Sequence, residues 1–265
     1  MIPDTDNFEI RNSNFWKGSC LFVVLVVAAS TQLTAAPRVE TSTVTYLSGT
    51  EAVNGYLAKP SGAGPFPALV VIHEWWGLND QIKGLADRLA GEGYMALAVD
   101  LYRGRVATDP MEAHELMRGL PEDQAIRDLQ AAVHYLKARS DVRGDKLGSI
   151  GWCMGGGYSL ALAVNQPDLA ACIIYYGRLV TDTKVLSQIK APVLGFFGEE
   201  DRGIPPSAVR TFERDMREVG KESQIHIYPG AGHAFANPTG PSYRKAAADD
   251  AWERTKAFLA KFLEQ

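Results

Sequence analysis

A chain of 265 residues with 46% apolar and 22% charged residues has the make-up of a globular protein with a sizeable core. That balance excludes disordered, collagen-like and multi-pass membrane classes, and the length suits a single α/β domain. Twenty-seven basic and 31 acidic residues leave a net charge of −4 dispersed along the chain, so there is no basic stripe to follow a nucleic-acid backbone.

Arg11 and Lys17 precede an apolar run, 20–29, which is followed by small and polar residues up to Pro37. Basic, apolar, small is the order of a secretory signal peptide, so 1–36 read as a leader cut between Ser30 and Ala36. The mature protein would then be periplasmic or secreted. The run is shorter than the roughly 20 residues of a spanning helix, which argues against a stable membrane anchor after cleavage. Asp4, Asp6 and Glu9 favour the competing reading, a start codon placed too early and a cytoplasmic protein.

The folded domain is expected over 37–265. Apolar residues alternate with Thr and Ser over 39–47 and alternate again over 52–59, which predicts an antiparallel hairpin at a sheet edge. The continuous apolar run 67–72 reads as a strand covered on both faces. Ile82, Leu85, Ala86, Leu89 and Ala90 have helical spacing, and a buried strand follows over 94–101. Further helices are predicted over 110–118, 122–139, 154–165, 205–219 and 242–263, and strands over 146–152, 170–176, 192–198 and 224–228. Strands alternating with helices give an α/β class with a mostly parallel central sheet and helices on both faces.

In such sheets ligands bind at the carboxyl ends of the strands. After the strand at 146–152 comes Gly151-Trp152-Cys153-Met154-Gly155, a G-x-C-x-G version of the nucleophile elbow. A strained strand-to-helix turn there would project the Cys153 sulfur upward, with the helix N-terminus favouring thiolate and the Met154 N–H supplying part of an oxyanion hole. The competing reading makes Cys153 one more small buried residue. Asp201 follows the strand at 192–198, with Glu199 and Glu200 as rivals, and His233 follows the strand at 224–228. Nucleophile, acid, base is the α/β-hydrolase order, and the intervals of 48 and 32 residues leave room for the intervening elements. His233 would take the thiol proton and Asp201 would orient the imidazole. Cys172, inside an apolar run, reads as a buried strand residue without chemistry. The three cysteines include no paired CxxC motif for a structural zinc site.

The strings His73-Glu74-Trp75-Trp76-Gly77-Leu78-Asn79, Val99-Asp100-Leu101-Tyr102, Gly151 to Gly156, Tyr175-Tyr176-Gly177 and Gly232-His233-Ala234-Phe235 occur in one order. Together they resemble the dienelactone hydrolase (carboxymethylenebutenolidase-like) family over nearly all of 40–263. The resemblance implies a single α/β-hydrolase domain that opens an enol-lactone, a small-molecule substrate, through a Cys-His-Asp triad with no metal or cofactor. It places Cys153, His233 and Asp201 in that triad. It gives Glu74 contact with the thiol, switching it to thiolate when substrate arrives, and it pairs the Trp75 N–H with that of Met154 in the oxyanion hole. One departure concerns substrate. Where the characterised lactone hydrolases have an arginine a few residues after the catalytic histidine, this chain has Asn237. A second substrate-gripping arginine would be Arg103 or Arg105. The expectation is therefore relaxed preference for anionic lactones and acceptance of neutral esters. Trp75, Trp76, Tyr102, Tyr176 and Phe235 are candidate pocket walls, with core packing as the competing reading. A general carboxylesterase or thioesterase, and a non-catalytic binding protein on the same fold, are the rival functions.

Overall fold

Residues 38–265 are described by the structure, a computed structural model, and the expected leader over 1–36 lies outside the described residues. Strands Val39–Ser48 (β1) and Glu51–Pro60 (β2) form the edge hairpin, with Val39 opposite Pro60 and Ser48 opposite Glu51. Gly49 closes it at φ 62°, a left-handed conformation that glycine adopts without steric cost.

From there strands and helices alternate: Phe66–Ile72 (β3), Asp80–Gly91 (α1), Met95–Val99 (β4), Pro110–Gly119 (α2), Glu122–Lys137 (α3), Val142–Trp152 (β5) and Met154–Asn165 (α4). Then come Ala171–Tyr175 (β6), Thr183–Leu186 (α5), Val193–Gly198 (β7), Pro206–Glu218 (α6), Ser223–Tyr228 (β8) and Lys245–Leu259 (α7), which ends in a π-helical turn, Ala260–Glu264. One eight-stranded sheet results, in the order β1-β2-β4-β3-β5-β6-β7-β8. β1 and β2, and β2 and β4, pair antiparallel; every other pair is parallel.

The continuous apolar runs are explained by cover on both faces. On β3, Val70 and Ile72 pack in a core with Leu129 of α3 and Leu160 of α4, while Leu69 and Val71 pack with Ile82 of α1 and Trp252 of α7. The fold is thus the expected α/β-hydrolase arrangement. No helix among the described residues is long and apolar enough to cross a membrane.

Among the differences from the sequence pattern, two strand boundaries and one short helix have a local reason. β4 stops at Val99 because the Asp100 carboxylate accepts the N–H groups of Tyr102 and Gly104 and turns the chain. β5 begins earlier than 146, since Val142 pairs with Phe66 across a bulge. The short helix α5, capped by Asp182 on the Lys184 N–H, has too few residues to leave a periodic signature.

Close packing at the top of the sheet admits only glycine. A Cβ on Gly155 would lie 2.2 Å from the Ile72 carbonyl oxygen, and one on Gly151 would lie 2.1 Å from the Gly155 carbonyl oxygen. Gly84, on the exposed face of α1, has nothing within 4 Å of its Cβ position. Gly155→Ala is expected to cost at least about 1–3 kcal/mol through overpacking, while Gly84→Ala should gain about 0.4–1 kcal/mol. Urea denaturation midpoints of the two variants would move in opposite directions.

Candidate active site

The turn from β5 into α4 puts Cys153 at φ 54° and ψ −117°, outside the regions that a side chain normally allows. Its N–H is tied to the Tyr175 carbonyl oxygen at 3.0 Å, at the end of β6, and its carbonyl oxygen accepts from Gly156 and Gly157 in the first turn of α4. The half-buried thiol stands 3.1 Å from His233 Nε2. His233 Nδ1 in turn stands 2.7 Å from Asp201 Oδ2. Asp201 Oδ1 accepts the N–H groups of Gly203 and Ile204 at 2.9 and 3.1 Å, which fixes the carboxylate. The rivals are elsewhere: Glu199 accepts from the Gly230 N–H, and both Glu199 and Glu200 are exposed.

These contacts set the charges. Burial opposes a charge on His233, but its hydrogen bonds to Asp201 and Cys153 outweigh that and push it up to about 10. Burial alone would raise Asp201; the bonds from His233 and the two N–H groups overcome it and hold the carboxyl below its usual range. Nδ1–H donates to Asp201, leaving Nε2 turned toward the sulfur. These bonds favour the protonated imidazole of His233 beside the sulfur. Cys172, by contrast, is fully buried beside Ser159 and pushed up to about 11 by desolvation, and it forms no bridge with Cys153.

The loop after β3 is held by His73, which is fully buried. His73 Nδ1 lies 2.6 Å from the Glu74 carbonyl oxygen, and Nε2 accepts the Leu101 N–H at 3.3 Å. This staple joins the ends of β3 and β4. In a planar trans peptide the C=O and N–H point in opposite directions, so pinning the Glu74 carbonyl also fixes the direction of the Trp75 N–H. Neither that N–H nor that of Met154 has a main-chain partner among the described residues.

Glu74 is 2% exposed, and each oxygen of its carboxylate accepts a hydrogen bond from a group other than the thiol. Oε2 accepts from Asn237 Nδ2 at 2.7 Å and Oε1 from the Tyr176 hydroxyl at 3.3 Å. Asn237 is oriented by the N–H and hydroxyl of Thr239, which both donate to its Oδ1. The residue read from sequence as a lost arginine is thus a neutral partner for a buried acid. Burial raises the Glu74 carboxyl above its usual range, and the Asn237 bond, the His233 charge and the Tyr176 bond reduce the rise.

The other expected residues divide. The Tyr102 hydroxyl donates to Met154 Sδ at 3.2 Å, and Tyr176 packs edge-on against His233, so both border the thiol's surroundings. Trp75 and Trp76 are partly exposed and pack against each other. Phe235 is 0% exposed behind Tyr176 and Tyr228, so it backs the site and does not face a ligand. Arg103 does not join the groups gathered at Cys153: its guanidinium lies 2.7 Å from the buried Asp128 carboxylate of α3 and 3.2 Å from Glu51. An arginine neutralising a buried carboxylate is not free to grip a ligand. Arg105 is exposed and reaches Glu112 at 3.9 Å. Asp128 carried a readable signal, since it shares the apolar face of α3 with Ala125, Leu129 and Ala132. Asn237 carried none.

Among the described residues no cluster of three His, Cys, Asp or Glu side chains is arranged to hold a metal ion. Asn237→Ala removes a donor from a carboxylate that is nearly fully buried. It is expected to destabilise the fold by about 1–3 kcal/mol, checked by chemical denaturation at neutral pH.

A family model described as the dienelactone hydrolase family matches residues 53–263. A Methylorubrum extorquens protein named "Putative carboxymethylenebutenolidase" is 35% identical over 224 residues, covering 79% of this chain and 77% of its own. A Bradyrhizobium protein named "Probable 2-oxo-3-(5-oxofuran-2-ylidene)propanoate lactonase" is 35% identical over 217 residues, covering 77% of this chain and 87% of its own. Among solved structures, a "Putative Dienelactone Hydrolase" from Klebsiella pneumoniae superposes with a TM-score of 0.79 at 31% identity, covering 85% of this chain and all of its own. Sequence, fold and the order of the motif-bearing strand ends agree, and the chain belongs to the dienelactone hydrolase family.

Proposed function

We propose that this hydrolase of lactones and carboxylic esters works through Cys153 as a covalent nucleophile, with His233 as the proton carrier and Asp201 as its orienting acid. The observation that carries the reading is the continuous chain Cys153 Sγ, His233 Nε2, His233 Nδ1, Asp201 Oδ2, with links of 3.1 and 2.7 Å, built on a strained elbow.

In the proposed cycle the Cys153 thiolate attacks the substrate carbonyl carbon, and the oxyanion is received by the Trp75 N–H in the loop after β3 and the Met154 N–H at the start of α4. The tetrahedral intermediate collapses and expels the alkoxide, which takes a proton from His233 Nε2. The thiolate charge that helped raise His233 is now consumed in a thioester, so the imidazole becomes a better base. It takes a proton from water as the oxygen attacks the thioester carbonyl, and collapse of that second tetrahedral intermediate breaks the C–S bond, releases the acid and restores the Cys153 thiolate beside protonated His233. Glu74 acts in this scheme as a positioning residue: its carboxylate holds the Tyr176 hydroxyl, and the Tyr176 ring holds His233 edge-on. With Arg103 engaged by Asp128 and Asn237 bonded to Glu74, a substrate carboxylate has no strong grip, which supports neutral esters and lactones as substrates.

Two measurements test this. Cleavage of a neutral p-nitrophenyl ester and the ultraviolet decay of a dienelactone should both fall by about a thousandfold or more in Cys153→Ala. Turnover that persists in the variant would remove the thiol from the reaction. The second is the pH dependence of kcat/KM, which reports the free enzyme. The ion pair needs His233 protonated, and a raised folded-state value means its contribution is lost as pH rises through that value. Activity should decline above about pH 10, and Asp201→Asn should move the decline to lower pH, because the carboxylate that raises His233 is gone. A basic limb unmoved by Asp201→Asn would exclude His233 as the titrating group.

A further inference from the structure

A cavity of about 380 Å³ lies along one side of α4, within the roughly 300–1,000 Å³ of small-molecule sites. Its walls include Met154, Tyr158 and Ala161 of α4, Met117 of α2 and Val180 in the loop after β6. Positions 154, 158 and 161 share a helix face, so the cleft starts at the residue next to the nucleophile and runs about 10 Å along the helix. All five side chains are half-buried. Exposed Glu122 and Arg178 also line it, opposite in sign, so the cleft carries no net charge.

At the Cys153 end of the cleft, the Met154 sulfur accepts the Tyr102 hydroxyl at 3.2 Å. The tyrosine hydroxyl is close enough to both Cys153 and Tyr158 for the charge of either to raise it, alongside the larger effect of burial. Neither Cys153 nor His233 is part of the lining, so the cleft adjoins the nucleophile through Met154 and lies away from the imidazole. This decides which half of an ester the cleft suits. The leaving oxygen must face His233 to receive its proton, so the acyl limb extends on the side away from the imidazole, toward Met154.

We propose that this cleft is the acyl subsite of the enzyme, and that it selects esters whose acyl limb is neutral, apolar and of medium length. The inference rests on the hydrolase reading above and adds its substrate class. An apolar limb lying along Met154, Tyr158 and Ala161 leaves water for a half-buried apolar wall, and binding of the limb carries over to the transition state. A limb ending in a carboxylate meets Glu122 as well as Arg178 and gains nothing over a neutral one.

The test is kcat/KM for p-nitrophenyl acetate, butyrate and hexanoate and for the hexanoate-length ester ending in a carboxylate. It uses the purified chain, Ala161→Phe, which fills the cleft from the helix side, and Val180→Phe, which fills it from the facing loop. The hexanoate-to-acetate ratio should be about tenfold or more in the native chain and should collapse toward unity in both variants, with the carboxylate-ended ester no better than hexanoate. Equal ratios in all three proteins, or a preference for the carboxylate-ended ester that Arg178→Gln removes, would overturn the proposal. Failure of the hydrolase reading would show differently, as no Cys153-dependent turnover of any ester. Calorimetric binding of hexanoate to Cys153→Ala, lost on adding Ala161→Phe, tests the cleft independently of turnover, and binding unchanged by Ala161→Phe would refute it.

Discussion

The backbone of Cys153, held at φ 54°, is the constraint on which the rest of the site depends. A conformation of that kind costs roughly 1–3 kcal/mol and persists only when its surroundings over-determine it. Here the surroundings are three strand ends. The Cys153 N–H is tied to Tyr175 at the end of β6, Gly155 packs against the last carbonyls of β3, and Gly151 at the end of β5 packs against α4 itself. Side chains at either glycine would push the helix off the sheet and move the sulfur with it. The same packing lets α4 present its first free N–H beside the thiol, so the strain and the electrostatics have one origin.

Around this fixed point the protein has arranged two different kinds of buried acid. Asp201 is ionised because three donors converge on it, and its negative charge favours the protonated imidazole of His233. Glu74 lies deeper, bonded only to the neutral amide of Asn237 and the hydroxyl of Tyr176, and desolvation drives its carboxyl upward. Two carboxyl groups near one imidazole thus differ in charge tendency because their partners differ. The arginine that could have supplied a third charge at the site is drawn to Asp128, a carboxylate buried on the apolar face of α3. Its loop, which carries Tyr102 to Met154, is fixed by that ion pair and by the turn at Asp100. The result is a site edged by apolar side chains and helix α4, with Arg103 held away from the thiol by its ion pair.

Much of this was legible before any coordinates. The glycine pattern around Cys153 encodes an elbow because close packing there tolerates no side chain, and an aspartate and a histidine placed just after strands must emerge at the same edge of a parallel sheet. These are local rules, readable in a few residues. Three neighbouring carboxylates, Glu199, Glu200 and Asp201, are indistinguishable to such rules, and it is Asp201 that lies against His233 Nδ1 in the fold.

Hydrophobic period and turn chemistry act over short stretches, so the alternation of strands and helices, the edge hairpin and the place of Cys153, Asp201 and His233 after strands are readable in the chain alone. Which polar groups pair is set by the assembled fold. Asn237 meets Glu74 across 163 positions and Arg103 meets Asp128 across two elements, and no periodicity records such meetings. Phe235 looked like a pocket wall until burial placed it behind Tyr176. A side chain's partners depend on how helices settle on the sheet, and that is set by packing of the whole core.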